Sequence, residues 1–215
     1  QGLAWLPWIC WLWHEALHPR PAALILAGLA LALQLLAGHT QTAFITGVGL
    51  GLWACVETLT RFRAAWKGRW QDTNLCLVAW PLGSLGLISL VALALAAAQI
   101  LPTLELTSLS ARGGGLTALE AVSFSLNPLL LGRSLLPSYA LRPLFSEYVG
   151  YSGVVAVCLA VLGTHQLRLQ PRLFGAVIIL GAGLFLAAGA YNPVYWFLVN
   201  LVPGFDLFRV PARWL

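Results

Sequence analysis

Between residues 75 and 101 the sequence carries no charged side chain; the run is dominated by leucine and alanine, and only Pro81, Gly83 and Gly86 weaken it as a helix. Such a run exceeds the ~20 residues that take a helix across a hydrocarbon core, and a proline there kinks a membrane helix without ending it. In hydrocarbon the backbone must satisfy its own polar groups, which restricts this part of the chain to helix. Residues 22–37 and 43–57 are two more apolar segments, joined by Gly38-His39-Thr40-Gln41-Thr42. Each falls slightly short of a full crossing, so tilted helices in a tight hairpin are expected, with Gly38 ending the first. Gly28 with Ala32, and Gly47 with Gly51, have the spacing of small residues that lets helix backbones approach closely.

Composition points the same way. The chain is 60% hydrophobic and 9% charged, with a mean hydropathy of +0.83, whereas a soluble domain carries roughly a quarter charged residues. An all-α, polytopic integral membrane bundle is expected, with the lipid bilayer as its surroundings. The sequence begins at Gln1 and contains no methionine, so it reads as an internal piece of a longer protein. The net charge of +5 is spread over the breaks between apolar runs rather than gathered on one face, which argues against nucleic acid as a partner. Cys10, Cys55, Cys76 and Cys158 show no CxxC spacing and read as packing residues. Trp5, Trp8, Trp11 and Trp13 precede His14, His18 and Arg20, the pattern of an aromatic belt at a membrane interface. His14 and His18 lack the further ligands that a metal pair needs.

Charge asymmetry gives the orientation. Residues 60–74 hold Arg61, Arg63, Lys67 and Arg69 in what reads as a short loop, and residues 164–172 hold Arg168 and Arg172 without a carboxylate. By the positive-inside rule both are cytoplasmic. The chain then divides into membrane helices with a cytoplasmic basic loop (1–101), a partly helical external loop (102–147), a membrane helix pair (148–190) and an external interfacial segment (191–215). About five crossings follow, counting ~20 residues for each. A multi-pass membrane protein with both basic loops on the cytoplasmic side is expected.

Four polar groups fall on the outer side. His39 and Gln41 lie in the hairpin turn. If Pro102 opens a new helix, Glu105, Ser108 and Arg112 share one face. Glu147 and Tyr148 stand where the chain re-enters the membrane, with Ser146 as a helix cap. Asp206, Arg209 and Arg213 are spaced so that a helical turn would align them. Arginine is suited to phosphate because its guanidinium forks onto two oxygens, and carboxylates and amides suit sugar hydroxyls.

In this order, Leu35-Leu36-Ala37-Gly38-His39-Thr40-Gln41, Pro102-Thr103-Leu104-Glu105-Leu106, Glu147-Tyr148-Val149-Gly150 and the run from Val202 to Arg213, VPGFDLFRVPAR, resemble the landmarks of the bacterial YfhO-like membrane proteins, of the GT-C class of polytopic glycosyltransferases. The terminal PGF-x-LFR-x-P-x-R run is the most specific, and Thr40 stands where that family commonly has proline. The resemblance implies transfer of a sugar from a polyprenyl-phosphate carrier to a cell-envelope acceptor on the outer face. It assigns carrier phosphate to Arg112, Arg209 or Arg213, and sugar or acceptor to His39, Gln41, Glu105 or Glu147. The catalytic acid of such enzymes belongs to an external loop expected upstream of Gln1. No organic cofactor is implied, and there is room for a divalent metal without a requirement for one. A transporter or flippase, or a non-catalytic envelope assembly subunit, are the alternatives; the spans carry almost no ionisable residue at mid-depth, which disfavours ion-coupled transport.

Overall fold

The computed structural model describes residues 2–18, 20–68, 74–109, 115–135, 148–150, 153–165, 173–202 and 204–215, and their regular structure is helical throughout. The chain forms two compact units, Gln1–Ser110 and Ala111–Leu215.

In the first unit a 3₁₀ turn, Gly2–Trp5, leads into α1 (Leu6–Ala16), followed by α2 (Pro21–Leu36), α3 (Thr40–Trp66) and α4 (Leu75–Ser108). Helix α2 is its centre. Pro21 opens it at the position where a missing N–H costs nothing, and it buries Ala23, Ala27, Gly28, Ala30, Leu31 and Ala32. Small side chains let its neighbours come close, as in helix interfaces within membranes. At Gly28 this closeness is enforced: a Cβ there would lie 2.6 Å from Val91 Cγ1 of α4. Ile88 and Ala92 of α4, Leu50 and Ala54 of α3, and Ile9, Trp13 and Ala16 of α1 complete the core. Gly47 and Gly51, in contrast, face open space, so only the first of the two small-residue pairs builds a helix contact.

One polar node lies in this apolar core. Gln34 is fully buried, and its Nε2 donates to the Gly2 carbonyl and to Thr46 Oγ1, both at 3.0 Å. Thr46 passes its own proton to the Thr42 carbonyl at 2.9 Å. The amide thereby ties the 3₁₀ turn, α2 and α3 together; Gln34 Oε1 has no partner among the described residues.

The described basic groups of this unit keep to one end. Arg20 pairs with Glu15, and Arg61 with Glu57 at 3.3 Å. Arg61 Nη1 also donates to the Leu77 carbonyl at 3.0 Å, and Trp80 Nε1 to the Ala16 carbonyl at 2.8 Å. These contacts bring the end of α1, the end of α3 and the start of α4 together. Helices α3 and α4 are therefore antiparallel, and His39, Gln41 and Glu105 lie at the opposite end. All described Lys and Arg of this unit, Arg20, Arg61, Arg63 and Lys67, lie at the first end.

Several expectations need correction. The basic stretch 60–74 does not begin as a loop, because α3 runs on to Trp66 and carries Arg61 and Arg63. Pro102 opens no new helix: it lies inside α4. Thr103 donates to the Gln99 carbonyl and Thr107 to the Thr103 carbonyl, each at 2.7 Å, so both hydroxyls are satisfied within the helix as it passes Pro102. The tryptophans do not act as one belt. Trp8 and Trp11 are exposed, but Trp13 is fully buried, edge-on to Trp53 with ring centres 5.3 Å apart. Nor are the cysteines uniformly packed: Cys10 is half-buried, whereas Cys55, Cys76 and Cys158 lie exposed on helix faces that no neighbour covers.

Helices α3 and α4, of 27 and 34 residues, are long and apolar enough to cross a membrane. Their lengths, about 40 and 51 Å at 1.5 Å per residue, exceed a hydrocarbon core of ~30 Å. Helix α2 is apolar but shorter. Leu82, Leu87, Leu90 and Leu95 of α4 are exposed.

The second unit contains α5 (Ala118–Ala121), a 3₁₀ turn Pro128–Leu130, α6 (Leu131–Leu135), α7 (Val154–His165), α8 (Leu173–Ala187), a turn Gly189–Tyr191 and α9 (Pro193–Leu201). Two further 3₁₀ turns, Phe205–Leu207 and Pro211–Trp214, end the chain. Buried Asn192 caps α9 by accepting from the Val194 N–H and donates to the Phe185 carbonyl, both at 2.9 Å. Gly189 is a crossing point: a Cβ there would lie 2.1 Å from Ser125 Oγ and 2.6 Å from Pro211 Cγ. Ser125 Oγ accepts from the Ala190 N–H at 2.7 Å, and the Leu126 N–H donates to the Ala187 carbonyl at 3.0 Å. Helices α7 and α8 are apolar but shorter than a crossing over their described lengths.

The glycine contacts give a paired prediction. Gly28→Val should destabilise the first unit by about 1–3 kcal/mol through overpacking against Val91. Gly47→Ala should be neutral or stabilising by up to ~1 kcal/mol. Unfolding in mild detergent titrated with a denaturing one measures both, and equal effects would remove the proposed role of Gly28.

Candidate functional site

In the second unit Asp206 and Arg209 meet Thr117 and Glu120 where the segment 204–213 lies against the segment 115–120. Gly204 is left-handed (φ +101), and its N–H donates to Asp206 Oδ1 at 3.1 Å. The Asp206 carbonyl accepts from the Leu116 N–H at 2.9 Å. Gly115, also left-handed (φ +79), abuts the Asp206 carboxylate so closely that a Cβ would lie 2.9 Å from Oδ2. Arg209 Nη2 then donates to Glu120 Oε1 at 3.1 Å. The other oxygen of Glu120 accepts from the Thr117 N–H at 3.0 Å and from its hydroxyl at 2.9 Å. This is a capping box, in which residues at the first turn of a helix satisfy each other's orphan groups.

Asp206, Arg209 and Arg213 are thus near in sequence without sharing a helix, contrary to the expected alignment. Phe208 is extended, and Val210 is left-handed at φ +66 and ψ +71. A β-branched residue there costs on the order of 1–3 kcal/mol and persists only when its surroundings fix it. Val210, Pro211 and Ala212 are buried, while Arg209 and Arg213 are exposed. The buried residues anchor the turn from which the two guanidinium groups project. Both faces of Phe205 contribute to the anchor: Trp214 stacks on it at 5.8 Å and 11°, and Tyr195 meets it edge-on at 5.9 Å.

The Arg209–Glu120 pair adds little to stability. The side chains are 42% and 47% exposed, and exposed pairs contribute roughly 0–1 kcal/mol. What the arrangement supplies is a guanidinium of defined position at a wet surface, with a second arginine four residues on, suited to hold an anion.

The remaining expected residues are distributed as follows. His39 is exposed at the start of α3 and makes no side-chain cap. Gln41 is buried, so it belongs to the packing of the hairpin and not to an open site. Glu105 is exposed on the last turns of α4. Tyr148 is half-buried, two residues before the Gly150 N–H, which donates to the Ser134 carbonyl at 3.0 Å. Arg112 and Glu147 lie outside the described residues. Among the described residues no three His, Cys, Asp or Glu side chains gather as a metal site would require.

Two features were missed by the sequence reading. Glu120 is the partner of Arg209, and its only sequence signal is the Thr117-x-x-Glu120 capping box. The other feature is an apolar groove of about 260 Å³ between α2, α3 and α4, lined by Leu31, Leu35, Ala43, Phe44, Gly47 and Leu93 among others. Gly47, where a Cβ would meet open space, helps to form its wall. No protein-family model, no curated protein and no solved structure matches the chain.

Tyr195 provides a test of the aromatic anchor. Burial pushes its phenol up to about 12, and a hydrogen bond from Trp214 opposes this in part. The fold favours the neutral phenol, so its stabilising contribution is complete below the unfolded value of about 10. It is lost as pH rises from there through about 12. Alkaline difference absorbance should show a tyrosine step with a midpoint near 12, absent in Tyr195→Phe; its absence from the wild type would contradict the burial.

Proposed function

We propose that this chain is part of a polytopic glycosyltransferase of the bacterial cytoplasmic membrane, moving a sugar from a polyprenyl-phosphate carrier to a cell-envelope acceptor on the outer face. The observation that carries the reading is the pair Arg209 and Arg213, presented on a strained turn whose intervening residues are buried, in a chain otherwise covered by apolar helices. A turn of that kind is costly to maintain and defines where two cations stand. A phosphate headgroup at a bilayer surface is an anion suited to both.

The distribution of charge in the first unit supports the orientation. Its described basic residues gather at one end, which the positive-inside rule places in the cytoplasm. His39 and Glu105 then face the other side. The polar groups buried within the helices, Gln34, Thr46 and Ser84, are uncharged and hydrogen-bonded to nearby groups, which disfavours an ion-coupled transporter.

In the proposed reaction a base takes the proton of an acceptor hydroxyl, the acceptor oxygen bonds to the anomeric carbon, and the carrier phosphate leaves with the electron pair of the broken bond. Arg209 and Arg213 neutralise that leaving phosphate, as Arg112 does if it joins them. The resemblance assigns sugar or acceptor hydroxyls to His39, Gln41, Glu105 and Glu147.

The test is sugar transfer from a radiolabelled polyprenyl-phosphate donor in membranes containing the full-length protein. Arg209→Ala should lower transfer by about 10²-fold, the usual loss on removing one charge-stabilising donor. Glu105→Ala should also lower transfer, at equal expression. Absence of transfer by the wild type across several donors would move the assignment to a transporter or an assembly subunit. Transfer unaffected by both substitutions would keep the enzyme and discard these residues.

A further inference from the structure

We propose that Glu120 is a built-in competitor for the phosphate at Arg209, a residue that sets how tightly the site holds an anion and lets the anion leave. This rests on the reading of Arg209 as a phosphate contact. Three observations lead to it. Glu120 Oε1 accepts from Arg209 Nη2 at 3.1 Å, so the carboxylate stands where a phosphate oxygen would bind. Glu120 does not need Arg209 to keep its place, since Thr117 holds the other carboxylate oxygen through its N–H and its hydroxyl. The backbone on either side of Arg209 is held by the left-handed Val210 and by the Leu116–Asp206 bond, while its side chain is 42% exposed and can change partner.

The consequence is an exchange between two anions on one guanidinium. Both partners of the pair are partly exposed, so an incoming phosphate reaches the guanidinium from solvent or from the bilayer surface. A phosphate brings more oxygens and, as a monoester, more charge than a carboxylate, and guanidinium binds it in a forked manner. Glu120 stays capped on α5 beside the bound anion, repels it, and pairs with Arg209 again when the anion leaves. A neutral headgroup gains nothing at such a site.

The same chemistry is offered by free phosphate and by a phospholipid-like headgroup, and separate probes distinguish them. The protein is placed in nanodiscs of zwitterionic lipid. Inorganic phosphate is titrated in one arm, and a long-chain isoprenyl monophosphate dissolved in the disc in the other, with binding read by ³¹P NMR. Glu120→Gln removes the charge but keeps the capping box, which accepts glutamine at this position. It should tighten the lipid phosphate by about fivefold, the scale of losing one exposed charge pair. Thr117→Ala weakens the cap and keeps the carboxylate, and should leave affinity within about twofold, since the exposed pair itself is weak. In an Arg209→Ala background Glu120→Gln should have no effect.

Unchanged or weaker binding in Glu120→Gln, with Arg209→Ala still impaired, overturns the proposal and leaves the phosphate reading standing. So does tightening of the same size in Thr117→Ala, which would mark a structural effect. Equal binding by wild type and Arg209→Ala sinks the phosphate reading itself. Tightening in the inorganic arm alone would overturn the lipid headgroup as the ligand.

Discussion

The contact of Gly28 with Val91 sets the depth at which α2 seats against α4, and the first unit is arranged around it. With no side chain at that point and alanines along the rest of its buried face, α2 lies close enough to reach α1, α3 and α4 together. Only at such close range does Gln34 span from the Gly2 carbonyl to Thr46. The polar node is therefore a product of apolar packing. In water such an amide would compete with solvent; among apolar helices it is worth on the order of 1 kcal/mol and fixes rotation as well as distance.

The second unit uses the same device at another scale. Gly189 lets the turn after α8 pass against Ser125 and Pro211, and Gly183 leaves room for the Trp214 carbonyl. Val210, left-handed, directly precedes the turn of Pro211 and Trp214 that these glycines admit. The strain and the exposure of Arg209 and Arg213 are two aspects of one anchored turn.

How much of this was legible in the sequence differs by level. Helix type and the apolar segments were readable because hydrophobic runs of that length have few alternatives. Helix ends were not: α3 continues through Arg61 and Arg63 because one face of an amphipathic last turn can be charged, and α4 continues through Pro102, as an apolar helix can accommodate a proline without ending. Small-residue spacing identified Gly28 but also named Gly47 and Gly51, since spacing says nothing about which face meets a neighbour. For the candidate site, the choice of Arg209 and Arg213 rested on residue type and resemblance. Their geometry did not follow from spacing, because a left-handed Val210 has no sequence signature. Glu120 was hidden for a different reason: its partner lies 89 residues away, beyond any local pattern.

That separation also bears on how the second unit comes together. The Thr117–Glu120 cap is local and needs only its own turn of chain, so it is available as soon as α5 exists. Arg209 reaches it only after the helices between have been made and placed, because closing a long loop is slow relative to a local turn. The pairing that marks the candidate site thus closes a loop of 89 residues onto a carboxylate that a four-residue turn holds by itself.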